Sequence, residues 1–280
     1  MPPTAMPTET PPLDDALVQR VLARLALPRT APTVDFLEAL ITAYTKAVPW
    51  ESAFRIAKQA RCGGNTAVCP RWPEEFWQDN LEQGGGGTCF ESNYAFFSLL
   101  RALGYAGYLT INNMGETVGC HTAVVVQLEG LNWLVDAGFP LYAPLLLDPD
   151  HTVGRSTPFL QYAVRPDGRS RYQIEQSPHP KPIAFTLIDQ PVSDADYRAA
   201  TTADYGENGL FLNRVIITKV VNGRVYRYNA ADNPHQMESF RGGQRTVHLL
   251  EGDPVTAVAA HFQMNAAILR TAVKRLAASS

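Results

Sequence analysis

Cys89 heads the stretch of this chain with the most chemical potential. It follows Gly84-Gly85-Gly86-Gly87-Thr88 and precedes Phe90-Glu91-Ser92-Asn93-Tyr94. Thr88 is a good helix N-cap, and Glu91 three residues on completes a Thr-x-x-Glu capping box, so the predicted helix begins at Cys89. Tyr94, Phe97, Leu100 and Leu103 recur at helical spacing, and Gly104 marks the end. A cysteine in a first turn meets free backbone N–H groups and the positive end of the helix dipole. Both favour the thiolate, and such positions lower a cysteine pKa from about 8.5 to roughly 3.5–7.5. The glycines leave room for a substrate carbonyl beside the sulfur. Taken alone, a lone cysteine reads more simply as a small buried residue.

A nucleophilic cysteine needs a base, and the base needs an orienting group. Of the six histidines, His121 is the best placed, at the start of the apolar run Thr122-Ala-Val-Val-Val-Gln-Leu. A Glu-Gly-Leu-Asn turn follows, then Trp133-Leu-Val-Asp136-Ala-Gly-Phe139-Pro. This pattern predicts a β-hairpin with His121 at the start of one strand and Asp136 at the end of the next. Antiparallel pairing sets those two positions side by side. Asp136 ends an apolar run, an awkward place for a charge without a partner. The simpler reading has Asp136 capping a turn and His121 facing solvent. Cys120 is a rival nucleophile, but it lacks a helix N-terminus and points to the face opposite His121.

The elements that must position these residues fall into three groups. Helices are predicted over Leu13–Leu27, from Pro32-Thr33 to about Ala47, over Pro49–Ala60, and from Pro73 to Glu82. From Ala106 the apolar period changes to two, with strands at 106–112, 121–128, 132–136, 170–175 and 183–188. Residues 193–208 read as a polar crossing. Strands within Gly209–Val221, Arg224–Tyr228 and Arg245–Leu250 follow, with Asn222-Gly223 as a type I′ hairpin turn. One helix over Pro254–Ala278 closes the chain.

Gly-Gly-Thr-Cys89-Phe-Glu-Ser-Asn93, then His121, then Val-Asp136-Ala-Gly-Phe139 resembles the arylamine N-acetyltransferases. Val48-Pro49-Trp50-Glu51-Ser52 resembles that family's Pro-Phe-Glu-Asn segment, and the likeness spans most of residues 13–265. It implies Cys89 as nucleophile, His121 as base and Asp136 as the group that orients and charges the imidazole. It further implies that Asn93 supports Asp136, that Glu51 is a supporting residue, and that Trp50, Gly119 and Phe139 lie against substrate. The oxyanion would be held by the Cys89 N–H and one near Cys120. Three departures stand out. Gly85 occupies the place of an arginine that pairs with the family's Glu, leaving Arg55 as the expected i,i+4 partner of Glu51. Phe has become Trp50, and the final Gly of Gly-Phe-Gly has become Pro140.

The fold expected is α+β, of the papain-like cysteine-enzyme group: a helical domain over 13–105, an antiparallel β-barrel over 106–205 and an α/β lid over 206–280. Residues 1–12 read as a disordered, Pro-rich lead-in. The activity implied is transfer of an acetyl or other acyl group from acetyl-CoA, a co-substrate and not a bound cofactor, to an arylamine or hydrazine nitrogen. A transglutaminase-like amidase or an amide synthase on the same triad is the alternative, since neither a P-loop nor a basic cluster for nucleotide phosphates is evident. A net charge of −3 argues against a nucleic-acid partner. No apolar run reaches the roughly 18 residues of a membrane span, and no signal peptide is evident, which points to the cytoplasm. None of the four cysteines forms a Cys-x-x-Cys pair, so no metal is expected and Cys62 and Cys69 read as free thiols in a loop.

Overall fold

The computed structural model describes residues 10–207 and 209–278. The lead-in expected over 1–12 lies outside those residues as far as position 9. Thr10 is buried, and the Ser98 hydroxyl donates to the Pro11 carbonyl at 2.9 Å, so this part is docked, not loose.

The first helix, α1 (Asp15–Leu25), is capped by the Asp14 carboxylate and turns its apolar stripe inward. α2 (Val34–Ala47) is capped by Thr33. The helix expected from Pro49 divides instead into a short strand, β1 (Trp50–Glu51), and α3 (Ala53–Arg61). Ser52 causes the division. Its hydroxyl donates to the Arg214 carbonyl at 2.7 Å and accepts the Ile216 N–H at 3.0 Å, so the backbone before it joins a distant sheet. α4 (Pro73–Gln83) and α5 (Cys89–Ala102) complete the helical layer.

Eight strands follow: β2 (Ala106–Met114), β3 (Thr117–Leu128), β4 (Leu131–Val135), β5 (Leu145–Leu147), β6 (Val153–Ser156), β7 (Gln161–Pro166), β8 (Arg171–Ser177) and β9 (Ile183–Ile188). They form one sheet in the order β5-β4-β3-β2-β9-β8-β7-β6, with antiparallel neighbours. Its two edges approach each other, giving a nearly closed barrel. β5, β6 and β7 were not expected; β6 is Val-Gly-Arg-Ser and largely exposed, so it carries no apolar alternation. β3 is buried on both faces. Ala123 and Val125 point into the barrel, while Val124 and Val126 pack on the helices.

The stretch read as a polar crossing contains α6 (Asp194–Ala203), capped by Ser193. Its buried residues are Tyr197 and Thr201, too few for a periodic signal. A second sheet runs β1-β10-β11-β12-β13, adding β10 (Ile216–Val221), β11 (Arg224–Asn229), β12 (Gln236–Arg241) and β13 (Gln244–Leu249). At the β10–β11 turn Asn222 and Gly223 have φ of 48° and 70°, as a type I′ turn requires. β12, a mostly polar strand, was not expected. The single closing helix is two, α7 (Pro254–Phe262) and α8 (Ala266–Ala277). Gln263 adopts φ 59° and the Asn265 side chain caps α8, which breaks the run. No helix among the described residues is long and apolar enough to cross a membrane.

Candidate active site

Cys89 is the first residue of α5, and it is 6% exposed. His121 and Asp136 reach it from the β3–β4 hairpin. The pair Val124↔Val135 sets the register, so Asp136 falls opposite Ala123, two residues from His121 on the same face. β3 begins four residues earlier than expected, at Thr117, because the β2–β3 ladder continues past His121 through an irregularity at Asn112/Met114. His121 Nε2 lies 2.6 Å from Asp136 Oδ2, with both side chains almost wholly buried. The other ring nitrogen, Nδ1, is left for the Cys89 side chain, which is close enough to act on the charge of the ring. Burial opposes charge on the imidazole. The Asp136 carboxylate and the Cys89 sulfur outweigh it and raise the His121 pKa to about 10. The ring is wedged between Phe185, at 4.6 Å between centroids, and Phe139, at 6.2 Å.

Asp136 is both turn cap and histidine partner. Its Oδ1 accepts the Gly138 and Phe139 N–H groups, each at 2.8 Å, and Asn93 Nδ2 at 2.9 Å. Asn93 also donates to the Thr122 carbonyl at 2.6 Å and accepts the Ala137 N–H at 2.8 Å. One side chain on α5 thus pins both strands of the hairpin to the cysteine's helix. The Tyr197 hydroxyl adds bonds to the Phe90 carbonyl and Thr122 Oγ1. Gly138 permits this approach: a Cβ there would lie 2.3 Å from the Cα of Cys89.

The capping box does not form. The Thr88 side chain makes no cap bond; its Oγ1 accepts Arg55 Nη1 at 3.0 Å. Glu91 faces away from the cap. Its Oε1 accepts the Arg71 N–H at 2.9 Å, its Oε2 meets the Arg71 guanidinium, and the Tyr205 hydroxyl also donates to it. A buried carboxylate gains more from a charged partner than from a backbone N–H. Despite burial, Arg71 and then Arg55 hold the Glu91 pKa below the usual carboxylate value.

The expected Arg55–Glu51 pair is also absent. Arg55 forms an ion pair with Asp204 at 2.6 Å. Glu51 instead fastens the glycine loop, its Oε1 accepting the Gly86 N–H at 3.1 Å and its Oε2 the Phe54 N–H at 2.9 Å. Arg71 supplies the loop's cation. It donates to the Gly86 carbonyl at 2.6 Å, and its charge acts on the buried Glu51 carboxylate more than any other. An arginine side chain at position 85 would collide with the Phe54 ring, which lies 2.6 Å from a Cβ built there. Nothing in Cys69-Pro-Arg71-Trp-Pro marked Arg71 in the sequence. Tyr197, Tyr205, Thr122 and Phe185 were likewise unmarked.

Trp50 lies in β1, bridged to Gly87 and packed edge-on to Phe211 at 5.0 Å. Gly119 has φ 68°, and its N–H donates to Asn113 Oδ1 at 2.9 Å. Cys120 turns its sulfur to the Thr117 carbonyl at 3.3 Å, and its own carbonyl faces the Cys89 sulfur at 3.7 Å. Burial raises the Cys120 thiol pKa. Cys89 is therefore expected to alkylate fastest of the four cysteines near neutral pH. Peptide mapping after brief iodoacetamide exposure measures this, and preferential labelling of Cys62, Cys69 or Cys120 would refute it. Among the described residues no group of three or more His, Cys, Asp or Glu side chains is placed to hold a metal ion.

A cysteine at a helix N-terminus, a histidine beside it and a buried carboxylate behind the histidine can perform nucleophilic acyl transfer. Comparison with known proteins bears on the family and the fold. A family model described as N-acetyltransferase matches residues 33–226. Proansamycin X synthase from Amycolatopsis mediterranei is 29% identical over 128 residues, 43% of this chain. The matched part spans 46% of that relative's length. Among solved structures, the arylamine N-acetyltransferase of Salmonella typhimurium superposes with a TM-score of 0.77 at 18% identity, covering 95% of this chain and 100% of that one. That of Mycobacterium marinum in complex with CoA gives 0.75 at 20% identity, covering 92% and 98%. The structural likenesses show a shared fold. With the family match over most of its length, the chain belongs to the arylamine N-acetyltransferases, as a divergent member of that family of acyltransferases.

Proposed function

We propose that the chain moves an acetyl or other small acyl group from a coenzyme A thioester, through Cys89, to an arylamine or hydrazine nitrogen. The observation that carries this reading is the line Cys89, His121, Asp136, with Nε2 of the imidazole held at 2.6 Å from Asp136. The CoA complex of a structural neighbour supports the choice of donor.

The Cys89 thiolate attacks the donor's carbonyl carbon, and backbone N–H groups receive the negative oxygen. The carbon–sulfur bond to coenzyme A breaks, and the imidazolium at His121 Nδ1 gives its proton to the departing thiolate. Neutral His121 then accepts a proton from the incoming amine as its nitrogen attacks the Cys89 thioester. The amide leaves, and Cys89 and His121 are again an ion pair. Asp136 fixes the tautomer throughout and stabilises the charged imidazole. Trp50, Gly119 and Phe139 are proposed to meet the substrates. Water must be kept from the thioester meanwhile, a role proposed for residues 206–280.

Mixed with acetyl-CoA and no amine, the protein should gain one acetyl mass on Cys89, and an arylamine such as anisidine should clear it. Cys89→Ser should abolish the adduct, since a hydroxyl lacks the thiol's accessible anion. A second reading is an amide synthase or amidase using the same triad, and the likeness to a relative named as a synthase, proansamycin X synthase, accords with it. The Trp at position 50 accords with a different substrate. If no acyl-CoA acylates Cys89 while a peptide or glutamine amide does, that second reading replaces the first.

A further inference from the structure

Cys62 and Cys69 take no part in the site described above. They bracket the loop between α3 and α4. Seven residues of extended chain would separate them by roughly 23 Å, but the loop is folded back on itself. The Asn65 N–H donates to the Cys62 carbonyl at 3.0 Å, and the Cys69 N–H donates to the Thr66 carbonyl at 3.2 Å. The two sulfurs are laced across this ring. Cys62 Sγ donates to the Val68 carbonyl at 3.4 Å, and Cys69 Sγ donates to the Asn65 carbonyl at 3.4 Å. The Val68 carbonyl belongs to the peptide unit that enters Cys69, so the Cys62 sulfur already lies over its partner's backbone. Cys62 is close enough to Cys69 to act on its thiol, and both thiols are free.

We propose that Cys62 and Cys69 are a reversible disulfide site that staples this loop, oxidised by exchange with a small-molecule disulfide. Cys62 is half-buried and Cys69 is fully covered, which sets the order of events. The Cys62 thiolate attacks one sulfur of the oxidant, breaks its S–S bond and releases one thiol, leaving a mixed disulfide on Cys62. Cys69 then loses its proton and attacks the Cys62 sulfur, which releases the second thiol. Two protein thiols become one disulfide, the oxidant's disulfide becomes two thiols, and both protons end on those thiols. Burial, together with the neighbouring Cys62, pushes the Cys69 thiol up to about 12, so Cys69 rests protonated and does not make the first attack; it reacts only once the mixed disulfide holds a sulfur against it.

The staple bears on the active site through the chain that follows it. Arg71 is two residues beyond Cys69, and it grips Gly86 and Glu91 around the Cys89 helix. Lys58 and Glu75 already tie the flanking helices together. Closing the loop would fix the start of the segment that delivers Arg71.

The test uses the full-length protein and glutathione disulfide, with free thiols then blocked by N-ethylmaleimide. Expected is a Cys62–Cys69 linked peptide, lighter by two hydrogens and opened by dithiothreitol, with a higher unfolding midpoint for the oxidised protein. Cys69→Ser should stop at glutathione on Cys62, and Cys62→Ser should leave Cys69 unmodified. The proposal fails if wild type retains glutathione on Cys62 without closing, if Cys62 pairs with Cys89 or Cys120, or if Cys62 and Cys69 stay reduced.

Discussion

Asp136→Asn is expected to lower turnover about 10⁴-fold while leaving a folded protein, the loss known for the comparable change in a serine-protease triad. Asp136 Oδ2 accepts from His121 Nε2, so the wild-type ring carries its fixed proton on Nε2 and offers Nδ1 to the sulfur. An asparagine keeps an oxygen for Asn93, Gly138 and Phe139 but turns an NH₂ toward the ring. Nε2 must then accept, and the proton moves to Nδ1, where it blocks proton transfer from Cys89. Steady-state turnover beside circular dichroism separates loss of chemistry from loss of fold. An asparagine variant with wild-type turnover would reduce Asp136 to a turn cap.

The same variant has a signature in stability against pH. The His121 pKa is raised in the folded state, to about 10 from an ordinary value near 6.5. A raised pKa contributes stability that is fully present below about 6.5 and is lost as pH rises toward 10. Removing the Asp136 charge should contract that window from its alkaline side. Urea titrations of both proteins between those limits read it directly.

Arg71→Met should destabilise the protein by about 3–5 kcal/mol, because it leaves buried charge without its partner. Arg71 and Glu91 are each 1% exposed, and Arg71 also binds Asp79 at 3.3 Å and the Gly86 carbonyl. Methionine keeps an apolar stem but loses the guanidinium that lies over the Phe54 and Phe76 rings and strands the Glu91 carboxylate, with Tyr205 and Arg55 to compensate. Glu91→Gln in the Arg71→Met background should recover part of the loss, since it removes the stranded charge. Urea unfolding measures both changes. A cost under about 1 kcal/mol would make Arg71 a bystander. Cys89 alkylation should slow in parallel, because the glycine loop and the first turn of α5 lose their common anchor.

What could be read in advance was local. The start of α5 at Cys89, the β3–β4 hairpin and the Asn-Gly turn each depend on residues within one or two turns of chain. Their signals survive in a single sequence. β6 and β12 were invisible because they are mostly polar strands held by their neighbours. α6 was invisible because its buried residues are Tyr197 and Thr201, too few to show a period. The closing helix was read as one because Gln263 has no bias toward the left-handed backbone it adopts.

Local pattern in the chain specifies the residue types of the proposed triad, the helix N-terminus beneath Cys89 and the pairing of His121 with Asp136, since a hairpin of known register brings residues 15 apart together. Which cation neutralises which buried carboxylate depends on contacts between distant segments. Glu51 was expected to take Arg55 and Glu91 to complete a cap, yet Asp204 claims Arg55 and Arg71 claims Glu91. The reason is physical. Local bonds such as a cap or an i,i+4 pair are worth a few tenths to about 1 kcal/mol, whereas an unpaired buried charge costs several. The long-range partners therefore win, and their approach is set by the packing of segments far apart in the chain.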